Sequence, residues 1–174
     1  MAHDAYSRLL GKEYRVSFSN GKTICILFKR ENFVHLAGLR KLTDLAYTGR
    51  SFSANSIFSQ IKKGRITEYD LNCSSHYNAE MADRLKCICE IEALLSSGKA
   101  VFPFDKSKAH VRSRLRSDIL FFRGDAYGFY LTFGVADDGK HYYPETAFIR
   151  FDNGYIRDQN VVDIVGLERK SLKE

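Results

Sequence analysis

Proline is scarce and long apolar runs are missing. Only two prolines occur in the chain. No Pro-rich tract, low-complexity segment, internal repeat or linker divides it. No stretch approaches the ~18 apolar residues of a membrane span. The start, MAHDAYSRLL, has no basic region followed by a long apolar one, so no secretion signal is expected. The four cysteines, Cys25, Cys73, Cys87 and Cys89, have neither the spacing of a disulfide framework nor that of a zinc site. Cys87 and Cys89 sit two apart on an expected helix and point in nearly opposite directions. Reduced thiols in a cytoplasmic protein are the expectation. Walker, zinc-protease and nucleophile-elbow motifs are absent. Asp137 and Asp138 stand beside Gly139, which is ordinary turn chemistry, and no carboxylate cluster suggests a metal nuclease. No cofactor or metal is therefore expected, and a metal-independent mechanism fits better than a two-metal one.

What is present suits a folded protein. Hydrophobic residues make up 44% of the 174 positions and aromatic residues 13%, enough for a buried core in one domain, residues 1–174. The net charge of +6 and pI of about 9.1 permit a polyanionic partner without demanding one.

Two apolar-rich runs, Tyr14 to Phe18 and Thr23 to Phe28, flank Ser19-Asn20-Gly21. Asn-Gly supplies the positive φ angles of a tight turn, so this is a β-hairpin. A helix is expected from Asn32 to Tyr47, a second from Asn55 to Lys62 stopped by Gly64, and a long third from Asn78 to Ser97 closed by Gly98. After Pro103 the pattern changes to alternation. Asp118 to Phe122, Tyr127 to Val135, Ala147 to Phe151 and Val161 to Leu167 read as strands, joined at Gly124-Asp125, Asp137-Asp138-Gly139 and Asn153-Gly154. The expected fold is α+β: a β-hairpin, about three helices, then a four-stranded antiparallel sheet with the helices on one face.

The chain is organised around Phe28 to Leu45, FKRENFVHLAGLRKLTDL. On a helical wheel Val34, Leu36, Leu39, Leu42, Leu45 and Ala46 share an apolar face. Phe33, Ala37, Arg40, Lys41 and Asp44 take the other. His35 falls within the apolar face, beside Gly38, where a missing side chain permits close backbone approach. It is either a satisfied core histidine or a titratable group on the floor of a cleft.

A second informative stretch is Asp105 to Arg116, DKSKAHVRSRLR. Lys106, Lys108, His110, Arg112, Arg114 and Arg116 recur at every second residue. If the segment is extended, all six face one way at a spacing of about 6.6 Å, close to that of phosphates along a nucleic-acid strand. The bland alternative is a charged, solvated edge strand. Phe121, Phe122, Tyr127, Phe129, Tyr130, Phe133, Tyr142, Tyr143 and Phe148 interleave with the later strands. Most such rings are core, and any exposed beside the cations would be a stacking platform for bases.

Four stretches carry a family resemblance: His35-Leu36-Ala37-Gly38-Leu39, Lys41-Leu42-Thr43-Asp44, Asp118-Ile119-Leu120, and Tyr143-Pro144-Glu145-Thr146-Ala147-Phe148. They resemble the phage-associated nuclease-like family of the barnase–EndoU–colicin E5/D–RelE (BECR) group, in its phage-encoded subfamily four. The resemblance runs from about Tyr14 to Leu167, and residues 14–167 would be the nuclease-like core. It implies a BECR-like fold and a site drawn from the first helix and the terminal sheet. Carried over by position, it implies His35 as base or acid, Thr146 as the hydroxyl residue after the family's proline, and Tyr143 as a further donor. Lys41 matches the motif's spacing, yet the wheel sets it about a third of a turn from His35. Arg112 or Arg114 would hold phosphate.

Two main functional classes follow, beside the blander one of a nucleic-acid-binding module with a structural role only, which would bind in a salt-dependent way without turnover. One is a metal-independent endoribonuclease of phage or mobile-element origin, a toxin or host-takeover effector acting on RNA. The other is a catalytically inactive anti-defence protein of the same fold, which binds a host nucleoprotein or nuclease through its basic face. A buried His35 without an open cleft would favour the second.

Overall fold

The structure, a computed structural model, describes residues 1–49, 51–112, 115–124 and 128–172. Seven strands form a closed barrel: β1 (Lys12–Phe18), β2 (Thr23–Leu27), β3 (Lys99–Val101), β4 (Ile119–Arg123), β5 (Gly128–Val135), β6 (His141–Arg150) and β7 (Val161–Ser171). Around the barrel they run β1-β2-β6-β5-β4-β3-β7. The α-helices are α1 (Ala2–Ser7), α2 (Arg30–Leu36), α3 (Ala54–Lys62), α4 (Glu68–Cys73), α5 (Ala79–Cys89) and α6 (Ile91–Ser97). Among the described residues no helix is long and apolar enough to cross a membrane.

The Asn20-Gly21 hairpin forms as expected, with Ser17 opposite Thr23 and Gly21 at φ +80°. The α+β class also holds, but the four-stranded sheet and three helices are corrected, among the described residues, to seven strands and six helices. β4, β5 and β6 form the expected meander. β7 does not extend it. It crosses over to lie between β3 and β1. Three-residue β3 and the short helices α1 and α4 are too brief for a hydrophobic period to develop.

Two helix boundaries differ for backbone reasons. The expected long helix bends at Glu90 into α5 and α6. Its apolar period continues across the bend, through buried Met81, Ile88, Ile91, Leu94 and Leu95, so periodicity could not reveal it. The expected 32–47 helix stops at Leu36. Gly38 takes φ +73°, and a short 3-10 turn, Leu39–Lys41, follows. The left-handed residue resets the phase of the wheel. Phe33 and Ala37, placed outward by the wheel, are buried, and His35, placed inward, is exposed.

The main core unites the helices with one face of the strands, including Ile119, Phe121, Leu131, Phe133 and Ala147. Alternation sends Leu120, Phe122 and Tyr130 to the opposite face, where they cluster with Val101 and Tyr155. Phe104, Ala109, Val111 and Leu115 pack against this second cluster, so the basic segment lies as a strap over the outer face of the sheet.

Candidate functional site

The stretch Tyr143-Pro144-Glu145-Thr146 lies inside β6, a strand that begins six residues earlier than the sequence suggests. Pro144 lacks an N–H and suits a strand only at an edge or bulge. Both conditions are met. β6 pairs with β2 only through His141 and Tyr142. On its other side the register passes from Thr132 opposite Thr146 to Phe133 opposite Pro144, which leaves Glu145 as the extra residue of a bulge.

The bulge turns the Glu145 carboxylate across β5. One oxygen accepts a hydrogen bond from the Ser117 hydroxyl. The other faces the Tyr143 hydroxyl at 3.4 Å. Gly134 makes room, because a Cβ there would stand 2.8 Å from Glu145 Oε1 and 3.3 Å from the Tyr143 oxygen. Burial, and next the charge of Glu145, push the Tyr143 phenol above its ordinary value, so it stays a proton donor at neutral pH. Thr146 stands opposite Thr132, whose buried hydroxyl has no partner among the described residues. Glu145, Ser117 and Gly134 were not singled out from the sequence. Only the position of Glu145 between Tyr143 and Thr146 could have pointed to it.

Of this group, Tyr143 lines a cleft of about 440 Å³, and Glu145 lies behind it, outside the lining. Tyr142 and Tyr143 line one wall, Lys29, Glu31 and Asn32 of the α2 entry another, and Asp137, Asp138 and His141 the floor of the β5–β6 turn. The turn carboxylates do more than cap. Asp138 accepts from the Lys140 and His141 backbone and reaches the His141 ring at 2.5 Å.

The other expected site residues are scattered. His35 is exposed on α2, one turn beyond the cleft-lining Glu31 and Asn32 and on their side of the helix, but does not itself line the cleft. Lys41 is exposed in the 3-10 turn, 3.9 Å from Glu80, which Arg84 also grips at 2.6 Å. Among the described residues of Asp105 to Arg116 the expected ladder is not a strand. Lys106–Lys108 form a 3-10 turn held by Asp105, whose carboxylate accepts from the Ser107 backbone and hydroxyl. Lys106, Lys108, His110, Arg112 and Arg116 are exposed, and Arg114 lies outside the described residues. The strap is fastened to the loop before β7. His110 Nε2 meets Asp158 at 2.6 Å and its backbone N–H donates to the Gly154 carbonyl, while the Gln159 side chain bonds both backbone groups of Asp105.

The Asp44 that closes the family-like stretch is a structural hub. Its carboxylate accepts from the Ser74 hydroxyl at 2.6 Å, the Ser75 N–H at 2.7 Å and the Ser75 hydroxyl at 2.9 Å, and meets His76 Nδ1 at 3.0 Å. These bonds, that from Ser74 foremost, hold its carboxyl well below the usual carboxylate range. Among the described residues, no group of three or more His, Cys, Asp or Glu side chains could hold a metal ion.

A family model described as phage-Barnase-EndoU-ColicinE5/D-RelE like nuclease4 matches residues 2–172. No curated protein and no solved structure matches the chain.

Proposed function

The chain belongs to this phage nuclease-like family, and from that premise we propose that it is a metal-independent endoribonuclease working at the Tyr143–Glu145 bulge of β6. The observation that carries this reading is a carboxylate turned across the sheet by a bulge, with a protonated phenol beside it that lines an open cleft. RNA cleavage without metal needs a base, an acid and donors to the phosphoryl oxygens. Glu145 takes the proton from the ribose 2′-hydroxyl. The 2′-oxygen bonds to phosphorus and the bond to the 5′-oxygen breaks, giving a 2′,3′-cyclic phosphate. Tyr143, with Thr146 beside it, donates to the phosphoryl group. His35, exposed on α2 one turn beyond Glu31 and Asn32, protonates the leaving 5′-oxygen.

The exposed cations of the strap, Lys106, Lys108, Arg112 and Arg116, with His110 and Arg114 of the same run, take the RNA backbone. Lys41 contacts RNA from outside the cleft. An exposed His35 and an open cleft favour catalysis over an inactive protein that binds a host partner. The fold acts as one domain, a phage effector of the host cytoplasm.

The test is incubation with labelled single-stranded RNA and tRNA in EDTA, with Glu145→Gln and His35→Ala in parallel. Each variant is expected to lose about 10²–10⁴-fold in rate, the range of a single acid or base. Full activity in both variants sinks the assignment.

A further inference from the structure

Among the described residues, the junction between β2 and β6 has the fewest residues in register of any pairing in the barrel. It is the one parallel pairing among the described residues, with only Cys25–His141 and Ile26–Tyr142 in register. His141 sits on this seam with both ring nitrogens engaged. Nδ1 lies 2.5 Å from Asp138 of the β5–β6 turn, and Nε2 lies 3.1 Å from Glu13 of β1. A neutral imidazole has one N–H and can satisfy one of these carboxylates. Its other nitrogen would present a lone pair to the second. Two carboxylate partners therefore require the imidazolium.

We propose that His141 is a charged pin that closes the barrel seam and positions Tyr143, so that the site is held together only while its imidazole is protonated. Tyr143 lies two residues along the same face of β6, and both residues line the cleft. Loss of the proton removes the ring's bond to Glu13 or to Asp138, and the tie from β1 to the turn opens at the strand that carries Tyr143 and Glu145.

The surroundings favour the charge. From β1 comes Glu13, with Arg15 beyond it directed toward Glu168. From β2 comes Cys25, the register partner. The turn brings Asp137, Asp138 and Lys140, and the α2 entry brings Lys29 and Glu31. The hydrogen bonds to Asp138 and then Glu13 raise His141 above its ordinary 6.5. The sign follows. The pin contributes fully below 6.5, where the unfolded chain also carries the proton, and is lost as pH rises through the folded value.

That the pin tunes cleavage rests on the ribonuclease reading, but its test does not. Side-chain NMR of the wild-type protein follows the His141 and Tyr143 rings from pH 5 to pH 9, and melting is compared with His141→Gln and His141→Arg. His141 is expected to titrate above 6.5, and the Tyr143 signal is expected to shift with it. His141→Gln is expected to melt about 2–4 °C below wild type at pH 6, a gap that closes toward pH 9. His141→Arg, charged throughout, is expected to flatten the pH dependence. A His141 midpoint at or below 6.5, a Tyr143 ring indifferent to it, or a pH-independent melting gap overturns the proposal. Uncut RNA with an intact pH-dependent gap overturns the ribonuclease reading instead and leaves the pin standing.

Discussion

Glu145 and Gly134 occupy one space: a methyl group on residue 134 would stand 2.8 Å from the Glu145 carboxylate. The obstructing atom is the far end of a flexible side chain, and Gly134 is not among the glycines at positive φ. Gly134→Ala is thus expected to displace Glu145 without unfolding the protein. Melting should stay close to wild type while cleavage falls by up to about 10²-fold, the scale of a 1 Å misplacement at a reacting group. An equal loss of stability and activity would point to general damage.

Ser117 donates to the Glu145 oxygen that does not face Tyr143. Ser117→Ala frees that oxygen and loosens the carboxylate. The expected result is a fall in kcat of about 10-fold, smaller than that of Glu145→Gln, because Ser117 positions the base and does not replace it. An unchanged kcat would mean that Ser117 does not position Glu145.

The strap cations are exposed, so their contribution to binding should be electrostatic. Replacing Lys106, Lys108, Arg112 and Arg116 together by Gln removes four charges. With a single-stranded RNA, the slope of log affinity against log salt should become shallower by about 3, at about 0.7 per contact. A slope that stays put would mean that the strap faces water alone.

Asp44 ties the loop after the 3-10 turn to the Ser74–His76 loop. Its carboxyl is depressed, so its contribution is present above the ordinary carboxylate value of 3.8 and lost as pH falls through the folded value. Asp44→Ala should lower the melting temperature at pH 7, and the difference should shrink in acid below pH 3.8. A gap that persists there would assign the effect to packing.

The hairpin at Asn20-Gly21 was legible because turn chemistry is local. So were the meander of β4 to β6 and the buried stripes of α3 and α5, which follow from period alone. His35 was misplaced because a wheel assumes unbroken phase, and Gly38, seen as a packing gap, is in fact a left-handed break. The basic run alternates like a strand, yet Asp105 turns it into a 3-10 turn and apolar contacts hold it over the sheet. Glu145 was hidden because a bulge depends on register between strands, and register is set by pairing that no single strand records. His141 depends on Glu13, which lies 128 positions away in the chain.

The most direct measurement is of the ends left on RNA cut by the purified protein in EDTA. Wild type is expected to leave 2′,3′-cyclic phosphate and 5′-hydroxyl ends, and Glu145→Gln to leave the RNA uncut while still folded and bound to it. Cleavage that requires a divalent metal, or products with 5′-phosphate ends, would contradict a 2′-hydroxyl attack driven by Glu145.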